Sequence, residues 1–391
     1  MSLKMIPYGR QNINQADIDT VVDVLKSDFL TQGPQVPLFE KTIAHEVAAR
    51  YVVAVNSATS ALHIACMALE LGHGDWLWTT PNTFVASANV GLYCGARVDF
   101  VDIDPKTYNM SPLLLEKKLI EAKVRKRLPK VLIPVHLCGQ PCDMRAIHGL
   151  CQKYGVKVIE DASHAIGGSY LDRPIGNCEY SDITVFSFHP VKIVTTAEGG
   201  AAVTNNELLA QKLALYRSHG ITRDEALMTE PSHGDWYYQQ IALGYNYRMT
   251  DLQAALGISQ MHRLHEFVAK RHEIAKRYDV LLEALPVEIP FQLENTYSGL
   301  HLYVIRLKLE EIHLSHKEVF DALRASGIGV NLHYIPVHIQ PFYKSIGFKD
   351  GDFPEAEKYY AEAISLPMYP DLSENDQNKV VDILASLLQI E

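Results

Sequence analysis

The sequence predicts an α/β protein, with a large domain on a mostly parallel sheet followed by a smaller α+β domain. Three observations carry that expectation. Short runs rich in Val, Ile and Leu alternate with helix-patterned stretches through the first two thirds of the chain. Those runs lack a clean apolar–polar alternation, as expected of strands covered on both faces of a parallel sheet. The texture then changes at Thr250, where a long charged helical pattern begins.

In order, the strand candidates are Tyr51 to Val55, Leu77 to Thr80, Arg97 to Val101, Lys130 to Val135, Val156 to Glu160, Ile183 to Ser187 and Gly200 to Thr204. Between them lie helical patterns such as Ala61 to Leu71, with Leu62, Ala65, Cys66 and Leu69 on one stripe and Gly72 as a stop. This alternation is that of a layered α/β domain. Thr250-Asp251-Leu252-Gln253 then fits a capping box, and Leu252, Ala255, Leu256 and Leu264 carry a single long helix on toward Leu285. Beyond it, Leu302 to Leu309 reads as a strand, and His316 to Ser326, Pro354 to Ile364 and Ser373 to Leu388 read as helices. Two domains are therefore expected, residues 5–250 and 251–391. The most loop-like stretch is Thr222 to Tyr238.

A length of 391 residues suits roughly two or three cores. With 36 Lys and Arg against 46 Asp and Glu, the net charge is −10, and no basic block offers a nucleic-acid footprint. Hydrophobic residues at 47% and charged residues at 21% exclude a disordered or collagen-like chain. No apolar run approaches the roughly 18 residues of a membrane span, and no secretory-signal pattern opens the chain, so a cytoplasmic protein away from membranes is expected. Met1-Ser2-Leu3-Lys4, ahead of a second methionine at Met5, reads as an added extension and is set aside. Of the six cysteines, Cys138 and Cys142 lie close together and could be joined by His136 in a zinc site. A structural zinc needs four ligands and no second pair follows, so a turn after a strand is the better reading and no metal is expected.

The most informative segment runs from Phe186 through Ser187, His189, Pro190 and Lys192 to Gly199-Gly200. It begins as a strand, leaves the sheet at Pro190, and sets Lys192 among small and apolar residues before a Gly-Gly turn. Partial desolvation weakens an amine's preference for its charged form, which makes it a nucleophile toward an aldehyde. By itself a surface lysine after a strand is the commoner case. Val158-Ile159-Glu160-Asp161-Ala162-Ser163-His164-Ala165 adds weight, because it ends a buried-looking strand in two carboxylates, where α/β sheets place ligands. A carboxylate there can hold a proton on a heterocyclic nitrogen, as pyridoxal phosphate requires. The plainer alternative has Asp161 capping the next helix and Glu160 pairing with a nearby base. A third piece is Asn56-Ser57-Ala58-Thr59-Ser60-Ala61, where a strand runs directly into a helix and N–H groups and hydroxyls converge on a positive helix end. An ordinary N-cap explains one hydroxyl there but not three. Ser187 can add a further hydroxyl, and Phe84 can stack on a flat ring, though a lone aromatic is more often core.

Together, these segments and Gly244-Tyr245-Asn246-Tyr247-Arg248-Met249-Thr250-Asp251 resemble the sugar aminotransferases of the DegT/DnrJ/EryC1/StrS family, in order and spacing over almost the whole chain. The resemblance implies the aspartate-aminotransferase fold (fold type I), pyridoxal 5'-phosphate as cofactor, and a homodimer with active sites between subunits. It implies that Lys192 carries the cofactor as a Schiff base, Asp161 holds the pyridinium proton, and His164 lies near the ring's 3-hydroxyl. Ala58, Thr59 and Ser187 would bind the phosphate, Phe84 would stack on the ring, and Asn246 would reach the neighbouring subunit's cofactor phosphate or substrate. Lys192 would also move the proton during transfer. Glutamate would load the amine and leave as 2-oxoglutarate.

Within the family, Phe29-Leu30-Thr31-Gln32-Gly33-Pro34, Trp236-Tyr237-Tyr238 and Ser187-Phe188-His189-Pro190 resemble the branch that aminates a UDP-linked 4-keto-6-deoxy-N-acetylhexose on the way to pseudaminic acid. By that analogy Tyr8, Asp28, Phe29, Leu30 and Thr31 in the N-terminal segment (residues 5–35), and Asn331, Leu332, His333 and Tyr334, would meet the nucleotide sugar. Trp76, Trp78 and Ala197 depart from the family's usual residues, away from the proposed chemistry. Three rivals stand beside this reading. A sugar 3-dehydratase of the same fold has histidine where Lys192 stands, which argues against it. A transaminase of another nucleotide keto sugar, such as a 4-keto-arabinose or a 3-keto sugar, remains open. A non-catalytic sugar-nucleotide binder has no use for a Schiff-base lysine.

Overall fold

The central sheet has seven strands: β1 (Tyr51–Val55), β2 (Trp76–Thr79), β3 (Arg97–Phe100), β4 (Val131–Ile133), β5 (Lys157–Asp161), β6 (Ile183–Ser187) and β7 (Gly200–Thr204). Each expected strand is present within a few residues of its expected limits. The computed structural model describes residues 5–388, so Met1–Lys4, expected above to be an added extension, and Gln389–Glu391 lie outside the described residues.

The strand order is β1-β7-β6-β5-β4-β2-β3. Strand β7 runs antiparallel to both β1 and β6, whereas β2 with β3, β2 with β4, β4 with β5 and β5 with β6 pair in parallel. Only β7 is therefore reversed. The register sets Val55 and Ser187 on either side of Gly200, so the carboxyl ends of β1 and β6 meet at the start of β7. Strands β6 and β7 are buried along their whole length, which explains their unbroken apolar character.

Two helices that the strand–helix alternation does not announce precede the sheet, α1 (Gln15–Leu25) and α2 (Gln35–Val47). Helix α1 opens on a capping box between Asn14 and Asp17. Helix α3 (Ala58–Ala68) begins three residues before its expected start, because Ser57 caps it by accepting from the Ser60 N–H at 3.1 Å. Helix α4 (Ala86–Tyr93) follows β2.

The single long helix expected from Thr250 is a pair, α5 (Asp251–Met261) and α6 (Leu264–Leu282). The Thr250–Gln253 capping box is present at the start of α5. The break falls where Arg263 leaves helical geometry at φ −109° and ψ 8°, with its guanidinium donating to Asp17 at 2.6 Å. Asp17 is fully buried and also accepts from Ser259 and Gln260 of α5, at 2.6 and 2.8 Å, which ties α1 to α5.

A second sheet joins β8 (Val287–Glu288), β9 (Tyr303–Leu307) and β10 (Ala363–Leu366), all antiparallel. Here the expected Pro354–Ile364 helix is corrected: it ends at Glu362, and Ile364 lies in β10 opposite Ile305. All four β10 residues are buried, and pairing with β9 satisfies backbone groups that a longer helix would have turned away from that sheet. Tyr278 and Leu282 of α6, Ile305 of β9, and Val380 and Leu384 of the last helix (Glu374–Leu388) gather in one core around it.

Candidate active site

A cavity of about 430 Å³ opens at the carboxyl ends of β5 and β6 and the start of α3. Its lining brings together Ala58, Thr59, Phe84, Asp161, His164, Ser187 and Lys192, together with Tyr8, His333 and Tyr334.

Strand alternation sorts the two carboxylates of β5. Successive side chains point to opposite faces. Glu160 points to a buried pocket where His136 Nε2 lies 2.9 Å from Oε2, while Ser181 and Thr184 donate to Oε1 at 2.5 and 3.3 Å. The plainer reading holds for Glu160, whose basic partner is His136. Asp161 points into the cavity. Its Oδ1 accepts from the Ser163 N–H at 3.1 Å and hydroxyl at 2.6 Å, and its Oδ2 accepts from Ser87 at 2.6 Å. Asp161 thus makes a local turn and still faces the cavity.

Lys192 sits in the loop between β6 and β7, its N–H donating to the His189 carbonyl at 2.9 Å. Burial lowers its amine from the ordinary 10.5 to about 8, with Asp161 pulling the other way. Half-buried Ala58 and Thr59 open helix α3, where backbone N–H groups have no partner within the helix. The run of small polar residues there divides its work: Ser57 caps, Ser60 donates to Asn56 at 2.7 Å, and Thr59 lines the cavity. Gly200 faces this turn so closely that a Cβ would lie 2.5 Å from the Ala58 nitrogen. Only glycine permits that approach.

Phe84 is exposed at the cavity wall rather than in the core, its ring 6.0 Å from that of Tyr334. His164 is buried, and burial, Lys192 and His333 push its pKa well below 6.5. His333, buried with Nδ1 2.8 Å from the Ser365 hydroxyl, is lowered to about 3 by burial and by Lys192. Tyr8 packs against it, with ring centroids 5.4 Å apart.

Other expected residues stand elsewhere. Asn331 and Leu332 lie beside the cavity without lining it, Asn331 pairing with Ser365 of β10. Asp28, Phe29, Leu30 and Thr31 are exposed, and the Leu30 carbonyl accepts from the Asp251 N–H at 3.0 Å. Asn246 is likewise exposed and outside this cavity, its carbonyl accepting from Asn56 at 3.5 Å. Sequence reasoning missed Ser87 and His301. Ser87 orients Asp161, and His301, 3% exposed, packs its ring 4.5 Å from His164. Neither carries a local signal, since each acts through a contact distant in sequence.

Comparison with known proteins gives the chain a family. Residues 11–385 match the model of the DegT/DnrJ/EryC1/StrS aminotransferase family. The spore coat polysaccharide biosynthesis protein SpsC of Bacillus subtilis is 40% identical over 387 residues, covering 98% of this chain and 97% of that one. A UDP-4-amino-4,6-dideoxy-N-acetyl-beta-L-altrosamine transaminase of Campylobacter jejuni is 37% identical over 388 residues, covering 98% of each chain. Among solved structures, Helicobacter pylori PseC, an aminotransferase involved in the biosynthesis of pseudoaminic acid, superposes with a TM-score of 0.90 at 30% identity over 98% of this chain and 99% of that one. With a lysine, a carboxylate and a helix start gathered in one cavity, and a match running nearly end to end, the chain belongs to the DegT/DnrJ/EryC1/StrS aminotransferase family.

Proposed function

We propose that the protein is a pyridoxal-phosphate-dependent aminotransferase that moves the amino group of glutamate to C4 of a UDP-linked 4-keto-6-deoxy-N-acetylhexose. The observation that carries this reading is Lys192, a half-buried amine lowered to about 8 in the same cavity as the Asp161 carboxylate. The acceptor class is carried over from the name of the Campylobacter relative, and the Helicobacter neighbour's part in pseudoaminic acid biosynthesis supports it.

The residues fit the cofactor's separate demands. Asp161, held at both oxygens by Ser87 and Ser163, would keep a proton on the ring nitrogen. The Ala58 and Thr59 N–H groups and the Ser187 hydroxyl would take the phosphate at the positive end of α3, and Gly200 leaves the backbone room there. Phe84 and His164 would lie near the ring. When bound, the cofactor supplies an electron sink that stabilises a carbanion at the substrate carbon. Lys192 Nζ would carry the proton between that carbon and the cofactor's aldehyde carbon, and a pKa near 8 suits both taking and giving it close to neutral pH. Tyr8, His333 and Tyr334 would face the nucleotide sugar.

We read the active assembly as a homodimer with shared sites. Asn246 and the Asp28–Thr31 stretch stand off their own chain's cavity, while Phe29, Leu30, Trp236, Tyr238 and Leu243 expose apolar surface that a second copy would cover. Residues 5–250 would form the cofactor-binding domain, with residues 251–391 closing the cavity through His301, His333 and Tyr334. All six cysteines are free, which supports a reducing, cytoplasmic setting, and among the described residues no helix is long and apolar enough to cross a membrane.

The test is mass spectrometry of the cofactor-loaded protein incubated with glutamate and the UDP-linked 4-keto sugar. Equimolar 2-oxoglutarate and 4-amino sugar nucleotide are expected. Conversion of glutamate without any amino sugar would reject this acceptor and leave the aminotransferase standing.

A further inference from the structure

We propose that His164 is a positioning residue that fixes the Tyr334 phenol as a hydrogen-bond donor into the cavity, toward an oxygen of the keto sugar. The substrate named here rests on the aminotransferase reading above. The directions of the hydrogen bonds rest on the protein alone.

A backbone amide N–H can only donate. The Cys138 N–H points at His164 Nδ1 at 3.2 Å. It is held there by the Leu137–Gly139 turn, in which Cys138 takes φ 59°. Gly139 lets the turn press inward, because a Cβ on it would lie 2.6 Å from the Leu300 nitrogen and 2.8 Å from the His164 carbonyl oxygen. A ring nitrogen that accepts carries no proton. His164 is neutral, since burial, Lys192 and His333 all disfavour the imidazolium, and the neighbouring His301 ring is itself held neutral in the same way. The single ring proton must then sit on Nε2.

Nε2 lies 3.1 Å from the Tyr334 hydroxyl oxygen, so the imidazole donates and the phenol accepts. Burial, with Cys138 and Asp161 nearby, raises the phenol's pKa, and Tyr334 keeps its own proton. Among the described residues His164 is the hydroxyl's hydrogen-bond partner, which leaves the O–H free to donate into the space that Tyr334 lines. Tyr334 is steadied by its backbone N–H donating to Asn82 Oδ1 at 3.3 Å and by the Phe84 ring packing 6.0 Å from its own. A phenol already accepting from an N–H is polarised toward donating further. It therefore selects an oxygen lone pair rather than an ammonium group.

Two measurements test this. In the first, nitrogen NMR of the holoenzyme labelled at histidine should show His164 protonated on Nε2 and bare on Nδ1, without titration between about pH 6 and 9. A proton on Nδ1, or an imidazolium in that range, would overturn the proposal whatever the enzyme's substrate. In the second, Tyr334→Phe should lower kcat/KM for the keto sugar by about ten- to a hundredfold, the size of one hydrogen bond to a polar acceptor, and should harm the glutamate half-reaction far less. His164→Gln, whose amide N–H can stand in for Nε2, should retain more keto-sugar activity than His164→Ala. Equal losses in both half-reactions, or equal losses in the two His164 variants, would overturn the donor role.

Discussion

The Ser87 hydroxyl donates to Asp161 Oδ2 at 2.6 Å, across 74 residues of sequence, and so fixes the carboxylate from the side opposite Ser163. Thr83 lies 3.0 Å behind Ser87 and completes the line. Ser87→Ala leaves a buried carboxylate one donor short, a cost of about 1–3 kcal/mol. We expect turnover to fall roughly five- to a hundredfold while cofactor absorbance persists. Steady-state kinetics on the loaded variant checks this, and unchanged turnover would count against Asp161 as the ring's partner.

Asp161→Asn is the sharper version of the same test. The amide matches the carboxylate in size and still fills the site, but it cannot balance a protonated ring. Cofactor should remain bound, and turnover should drop by several orders of magnitude. Comparing bound cofactor by absorbance with the rate of 2-oxoglutarate release separates the two effects.

Lys192 makes a prediction in pH. At about 8 rather than 10.5, about a tenth of the amines are free at pH 7, against fewer than about one in a thousand for an ordinary lysine. The rate at which the apoprotein takes up pyridoxal phosphate should therefore climb with pH through a midpoint near 8 and level off about a unit above it, as stopped-flow absorbance can follow. The stability consequence has a definite sign. Between about 8 and 10.5 the unfolded chain holds a proton that the folded one has released, so folding becomes more favourable with rising pH in that window. Lys192→Met removes the titration, so its stability advantage over wild type, read by denaturant midpoints, should shrink across the same window.

Asn246 and Lys192 should complement one another between chains. Asn246→Ala and Lys192→Ala are each expected to be nearly inactive. Unfolded and refolded together, about half of the dimers are hybrids with one intact site, giving about a quarter of wild-type activity. A strictly inactive mixture in which hybrids are demonstrably present would contradict sites built from both chains.

Much of the fold and of the site is legible in the sequence. Strand runs such as Ile183–Ser187 are apolar because they are covered on both faces, and their ends mark where a ligand can sit. Glu160 and Asp161 could be told apart only by the facing partners, His136 and Ser181 against Ser87 and Ser163. What stayed hidden depends on contacts between distant segments. The break between α5 and α6 answers to Asp17, 246 residues from Arg263. Residues Ala363–Leu366 pair as a strand because Tyr303–Leu307 lies beside them, which no local pattern announces. The Asp28–Thr31 stretch and Asn246 are exposed, as a site shared with a second copy of the chain would require.

The most direct test of the account is to reduce the cofactor-loaded protein with borohydride, digest it and locate the pyridoxyl group by peptide mass spectrometry. The label is expected on Lys192, in the peptide that follows Ser187. A label on any other lysine, or loaded protein that yields no labelled peptide, would contradict it.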